Sequence, residues 1–123
     1  MAGQRPKFRF TDLEIWQDAI EIGASLFEIA DKLETRRLFR FAEQLRGSGL
    51  SMSNNIAEGA GSNSKREFSS FLNIARRSTF ENANVMIVME KQKLLDEGEV
   101  TILLQKLDQL CRKITNLQRT LRD

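Results

Sequence analysis

The sequence contains no histidine, and this absence removes more chemistry than any other feature of the composition. Ser-His-Asp and Cys-His nucleophiles need an imidazole to take the proton, and so does the Glu-x-x-His pattern that builds di-iron sites inside helical bundles. The single cysteine, Cys111, has no partner for an internal disulfide and cannot complete a tetrahedral zinc site without histidine. A carboxylate site for magnesium is left open, but no cofactor is expected. Stability must then come from packing, as in a reducing compartment, and the expected location is the cytoplasm. One proline, Pro6, and no tyrosine leave little from which to build a turn-rich β domain. No apolar run is long enough to span a bilayer, and none follows Arg5, Lys7 and Arg9, so neither export nor a membrane partner is expected.

What is present is helix-forming. Leu, Ile, Ala, Glu, Gln, Lys and Arg dominate a chain whose length suits one domain: a basic tail over residues 1–10, then a single bundle over 11–123. Thr11-Asp12-Leu13-Glu14 reads as a capping box opening the first helix. Two apolar stripes follow, Leu13, Trp16, Ile20, Gly23, Phe27 and Ala30 beside Ile15, Ala19, Ile22, Leu26, Ile29 and Leu33. Their combined width exceeds what a monomeric bundle needs and predicts a further contact, with another subunit. Leu33 to Arg37 is a short connection. The second helix carries Leu38, Phe41, Ala42, Leu45, Gly49, Met52 and Ile56 on one face. It is expected to run unbroken through Gly47 to Ser53, because small residues let a neighbouring backbone approach.

Gly59-Ala60-Gly61-Ser62-Asn63 is the clearest turn, since glycine and asparagine tolerate the left-handed conformations that end helices. Ser64 to Glu67 offers a second capping box for the third helix. That helix directs Phe68, Phe71, Leu72, Ala75, Met86 and Met89 inward together with Ser78 and Asn82, for which Ser48 and Asn55 are candidate partners. Asp96 to Glu99 divides it from a fourth helix with Val100, Leu103, Leu104, Leu107, Leu110, Cys111, Ile114, Leu117 and Leu121 at bundle spacing. The fold class is all-α, an antiparallel up-down four-helix bundle.

Gly59 to Arg66 is not a phosphate loop, because no strand precedes it and Arg66 stands in the hydroxyl position. Gly47-Ser48-Gly49 lacks the third glycine of a dinucleotide fingerprint. Cys111 reads as a small core residue, and Glu58 and Glu81 read as arginine partners rather than an acid-base pair. The net charge is only +2, yet the signs segregate: the first helix is acidic and the fourth basic. Complementary solvated faces are the plain explanation. The functional one is phosphate binding by Arg36, Arg37, Lys65, Arg66, Arg112 and Lys113, with aromatic residues on the apolar faces and therefore no base stacking.

Asn55-Ile56-Ala57-Glu58-Gly59, then Phe68, Phe71, Leu72, Ile74-Ala75-Arg76-Arg77-Ser78 and Glu81, with Trp16-Gln17 and Gln44-Leu45-Arg46, resemble the bacterial four-helix bundle proteins encoded by intervening sequences of large-subunit ribosomal RNA genes. Asn55, Glu58, Gly59, Ser78 and Glu81 carry that motif, while Arg77 stands where the family commonly has glycine. The resemblance implies a ring-shaped homopentamer and no enzymatic activity. It also implies a relation to accessory proteins of diversity-generating retroelements, which bind a reverse transcriptase and nucleic acid. The expected function is binding of structured RNA, with ribosomal RNA as the candidate, by an oligomeric bundle; the alternative is a protein-binding scaffold or accessory subunit with no direct nucleic-acid contact, its partner an RNA-associated protein.

Overall fold

The structure, a computed structural model, describes residues 3–122. Four helices occupy most of that length: α1 (Glu14–Thr35), α2 (Phe39–Ala60), α3 (Lys65–Lys91) and α4 (Glu97–Thr120). Each packs against the next in sequence, and α4 closes less tightly onto α1. Contacts that descend one helix as they climb its neighbour, such as Ser48 with Asn82 and Ser51 with Ser78, make adjacent helices antiparallel. Most of the stability of such helices comes from packing an amphipathic face rather than from propensity, so the shared core has to hold them. That core includes Leu26, Ile29, Leu33, Leu45, Met52, Ile56, Leu72, Met86, Leu110 and Ile114, all fully buried. Each is worth about 1.5–3 kcal/mol on burial.

The second apolar stripe of α1 is the core stripe. The first divides: Gly23 and Ala30 turn toward α2, whereas Ile20 is 44% and Phe27 39% exposed in the single chain. α2 runs unbroken through its small residues, and a Cβ built on Gly23 would lie 3.4 Å from the carbonyl oxygen of Gly49. The two backbones therefore do cross closely where small residues were expected to allow it.

Between α2 and α3 runs a buried polar ladder. The Ser48 hydroxyl donates to Asn82 Oδ1 at 2.7 Å, and Asn82 Nδ2 donates to the carbonyls of Ser48 and Ser78, each at 2.9 Å. Ser78 meets Ser51 at 2.8 Å, and Asn55 Nδ2 donates to Ser51. Ser48 thus partners Asn82 as expected, while Asn55 reaches Ser78 only through Ser51. Among the described residues no buried side-chain polar atom lacks a partner. A satisfied ladder of this kind penalises any slip of α3 along α2, since a shifted register would strand several polar groups in the core.

The start of α1 departs from the sequence expectation. Thr11 lies in a 3₁₀ turn, Arg9–Asp12, and its hydroxyl donates to the Phe8 carbonyl at 2.7 Å instead of capping the helix. Leu13 is the N-cap residue, without a side-chain cap. Ser64 and Asp96 do cap α3 and α4, accepting from the N–H groups of Glu67 and Glu99.

Candidate nucleic-acid interface

Four antiparallel helices give the bundle two ends. One carries the start of α1, the α2–α3 connection and the close of α4; the other carries the α1–α2 and α3–α4 connections. At about 1.5 Å per residue, the 22 residues of α1 separate them by roughly 33 Å. Lys65 and Arg66 stand at the first end, Arg36 and Arg37 at the second, and Arg112 and Lys113 on the flank of α4. All but the half-buried Lys113 are exposed. The six cations singled out from the sequence therefore do not share one surface.

The flank is neutralised. Lys113 Nζ lies 2.7 Å from Glu14 and 2.8 Å from Asp18, Lys106 3.2 Å from Glu21, and Arg112 3.0 Å from Asp108. Hydrogen bonds donated to Asp18 and then to Glu14 raise the Lys113 ammonium above its ordinary value. Arg46 is likewise raised, by hydrogen bonds to Asp31 and Glu34 at 2.7 Å each. These are solvent-exposed pairs, which contribute little to stability. Their effect on function is larger than their effect on stability, because a cation already facing two carboxylates gains little from a phosphate. Complementary charge between α1 and α4 is thus the role of that segregation.

The ends differ in charge. Among the described residues of the first, Arg5, Lys7, Arg9, Lys65, Arg66, Arg119 and Arg122 face only Asp12, Glu14, Glu58 and Glu67. At the second, Lys32, Arg36, Arg37, Arg40, Arg46, Lys91 and Lys93 are equal in number to Asp31, Glu34, Glu43, Glu90, Asp96, Glu97 and Glu99, with Arg46 pairing to Asp31 and Glu34. The first end is basic and the second balanced. A cleft between α3 and α4 opens on the basic end, lined by Arg66, Ser69, Ser70, Asn73, Gln118, Leu121 and Arg122. Gln118 Nε2 donates to the Ser69 carbonyl at 3.2 Å and closes its floor.

The motif residues separate by role. Asn55 and Ser78 belong to the polar ladder, and Gly59 is buried where a Cβ would lie 2.8 Å from Phe71 Cβ. Ser78 and Gly59 meet the facing helix directly, and Asn55 braces Ser51, which bonds Ser78. Arg77 is exposed and leaves that packing undisturbed. Glu58 and Glu81, read from the sequence as arginine partners, are exposed and form no ion pair among the described residues. Neither reaches an arginine because each points outward from the α2–α3 pair. Cys111 is half-buried rather than core, lining a small apolar cavity between α3 and α4 with Phe80 and Leu104.

The aromatic residues also differ from expectation. Phe80 is 60% and Phe8 64% exposed, with the Arg76 guanidinium 5.2 Å above the Phe80 ring. Phe8, Phe10 and Trp16 form a connected cluster at the basic end. The signal that announces it is the alternation of basic and aromatic residues in Lys7-Phe8-Arg9-Phe10.

These features define a class: an antiparallel helical bundle with a charged exterior and one basic end, and with no carboxylate and thiol cluster fit for a metal among the described residues. Within that class the chain belongs to the family of 23S rRNA-intervening sequence proteins, which it matches over residues 11–116. The family's description associates it with 23S ribosomal RNA. No curated protein matches the chain significantly. No helix among the described residues is long and apolar enough to cross a membrane.

Proposed function

We propose that this protein binds structured RNA, ribosomal RNA being the first candidate, through the basic end of its bundle, with Lys65 and Arg66 contacting phosphates. The charge difference between the two ends carries this reading, and the family's association with 23S rRNA supports it. Lys65 and Arg66 have no carboxylate partner among the described residues, and they stand in the first turn of α3, whose backbone N–H groups also favour anions. The test is affinity for an rRNA hairpin across a salt series. Lys65→Ala and Arg66→Ala should each reduce the slope of log K against log salt by about 1. Arg36→Ala combined with Arg37→Gly should leave it unchanged. Affinity indifferent to salt rejects the phosphate reading, and protein capture that survives nuclease and high salt favours the scaffold alternative.

The ring assembly implied by the resemblance belongs to the same proposal. Ile20 and Phe27 on α1 and Leu50 on α2 remain exposed on the outer side of the α1–α2 pair, as a self-association surface requires. Light scattering at micromolar concentration should give a homo-oligomer, a pentamer in that reading; a stable monomer rejects it.

A further inference from the structure

Ahead of α1, the chain forms a groove of about 630 Å³ lined by Arg5, Pro6, Lys7, Phe8, Phe10, Thr11 and Trp16. The segment is pinned in place. Thr11 donates from its N–H at 3.1 Å and its hydroxyl at 2.7 Å to the Phe8 carbonyl, Leu13 N–H donates to the Phe10 carbonyl at 3.0 Å, and Gln17 Nε2 donates to the Thr11 carbonyl at 2.9 Å. Lys7 meets Asp12 at 2.9 Å. On this frame the rings form a chain: Phe8 and Phe10 have centroids 5.8 Å apart, and Phe10 and Trp16 meet edge to face at 5.3 Å. Phe8, the outermost ring, is mostly exposed, while Arg5, which lines the groove, and Arg9, next to Phe8 in the chain, have no carboxylate partner among the described residues. Holding a large ring in water against a fixed backbone costs solvation and gains no core contact. The arrangement suits a ligand with an apolar, polarisable face and a negative charge beside it.

We infer that this groove takes unpaired nucleotides of an RNA strand, a base stacking on Phe8 and its phosphate meeting Arg5 or Arg9. The inference rests on the RNA-binding reading above and adds to it a preference for single-stranded flanks. A peptide carboxylate would satisfy the cations but leave the ring face unused; every base has such a face. Arg5 to Phe10 lie outside the residues matched by the family, while Thr11 and Trp16 lie within them.

Trp16 is the sole tryptophan and tyrosine is absent, so the intrinsic fluorescence of the full-length protein reports on this groove alone. Short oligouridine should quench it saturably, and Phe8→Ala should weaken oligouridine binding about tenfold. Phe8→Leu should lose as much and Phe8→Tyr should retain affinity, which separates stacking from general apolarity. All three should bind a hairpin without overhangs as the wild type does, whereas Lys65→Ala weakens both ligands. Because Phe8 is exposed and outside the helices, circular dichroism should not change. Hairpin binding without oligouridine binding overturns this inference and spares the proposed function. Failure of both ligands overturns both, and wild-type oligouridine affinity in Phe8→Leu overturns the stacking. A change of oligomer size in Phe8→Ala overturns it too, by showing that a second copy fills the groove.

Discussion

The two ends of the bundle turn the chain by opposite means. At the balanced end no glycine is used: α1 and α3 both stop on residues with positive φ, Arg37 at 66° and Lys93 at 61°. The hydrogen bonds are the same at both. Leu38 N–H reaches the Leu33 carbonyl and Arg37 N–H that of Glu34, and Leu94 and Lys93 repeat the pattern to Met89 and Glu90. This is the Schellman arrangement, in which a left-handed residue lets two amides turn back onto the last carbonyls while the apolar residue after it packs on the helix. Leu38 and Leu94 do pack against the core. At the basic end, where glycines cluster, no glycine has positive φ. Gly59 lies inside α2 beneath Phe68 and Phe71, and Gly61 has φ of −81°. Glycine there serves close approach between helices rather than an unusual backbone.

Substitutions at the glycines should expose that difference most sharply. A Cβ at Gly59 would meet Phe71 Cβ at 2.8 Å, Phe68 Cδ1 at 2.9 Å and the Phe68 carbonyl oxygen at 3.3 Å. Two of these are main-chain or Cβ atoms that move only with α3 itself. Gly59→Ala should therefore destabilise by about 2 kcal/mol, within the range for overpacking, read as a fall in urea midpoint at constant m. Gly61→Ala meets nothing nearer than 3.5 Å in a right-handed conformation. It should be neutral or stabilising by up to ~1 kcal/mol through the unfolded chain. If both cost the same, glycine at this end serves the turn after all.

The contrast also shows what the sequence makes legible. Helical period and helix number were readable because burial imposes a period that single residues cannot hide: Leu45, Met52 and Ile56 lie where the stripe puts them, although Phe41 at the edge of that stripe is 41% exposed. The cap at Ser64 was readable because it needs only its own neighbours. Thr11 was not, since an equally local rival, the 3₁₀ turn drawn in by Phe10 against Trp16, took its hydroxyl. The site was less legible than the fold. Whether a cation is available depends on what the facing helix presents, and only the structure shows Lys113 between Glu14 and Asp18 while Lys65 stands apart.

The smaller effect should come from the other end, with opposite sign. Arg37 and Lys93 occupy a conformation that brings Cβ toward the following carbonyl oxygen, at a cost of roughly 1–2 kcal/mol in a residue other than glycine. Arg37→Gly relieves that strain but enlarges the freedom of the unfolded chain, which returns part of the gain. A net stabilisation of about 0.5–1 kcal/mol is expected for Arg37→Gly, and a similar one for Lys93→Gly. The sites stand on different connections, at the ends of α1 and α3, and share no hydrogen-bond partner, so the double variant should sum the two within ~0.5 kcal/mol. Urea midpoints that fall in both single variants would mean that the long side chains of Arg37 and Lys93 do something at that end that the backbone does not require. Lys93 then becomes the sharper case, because it lies outside the arginine set to which a phosphate role was assigned.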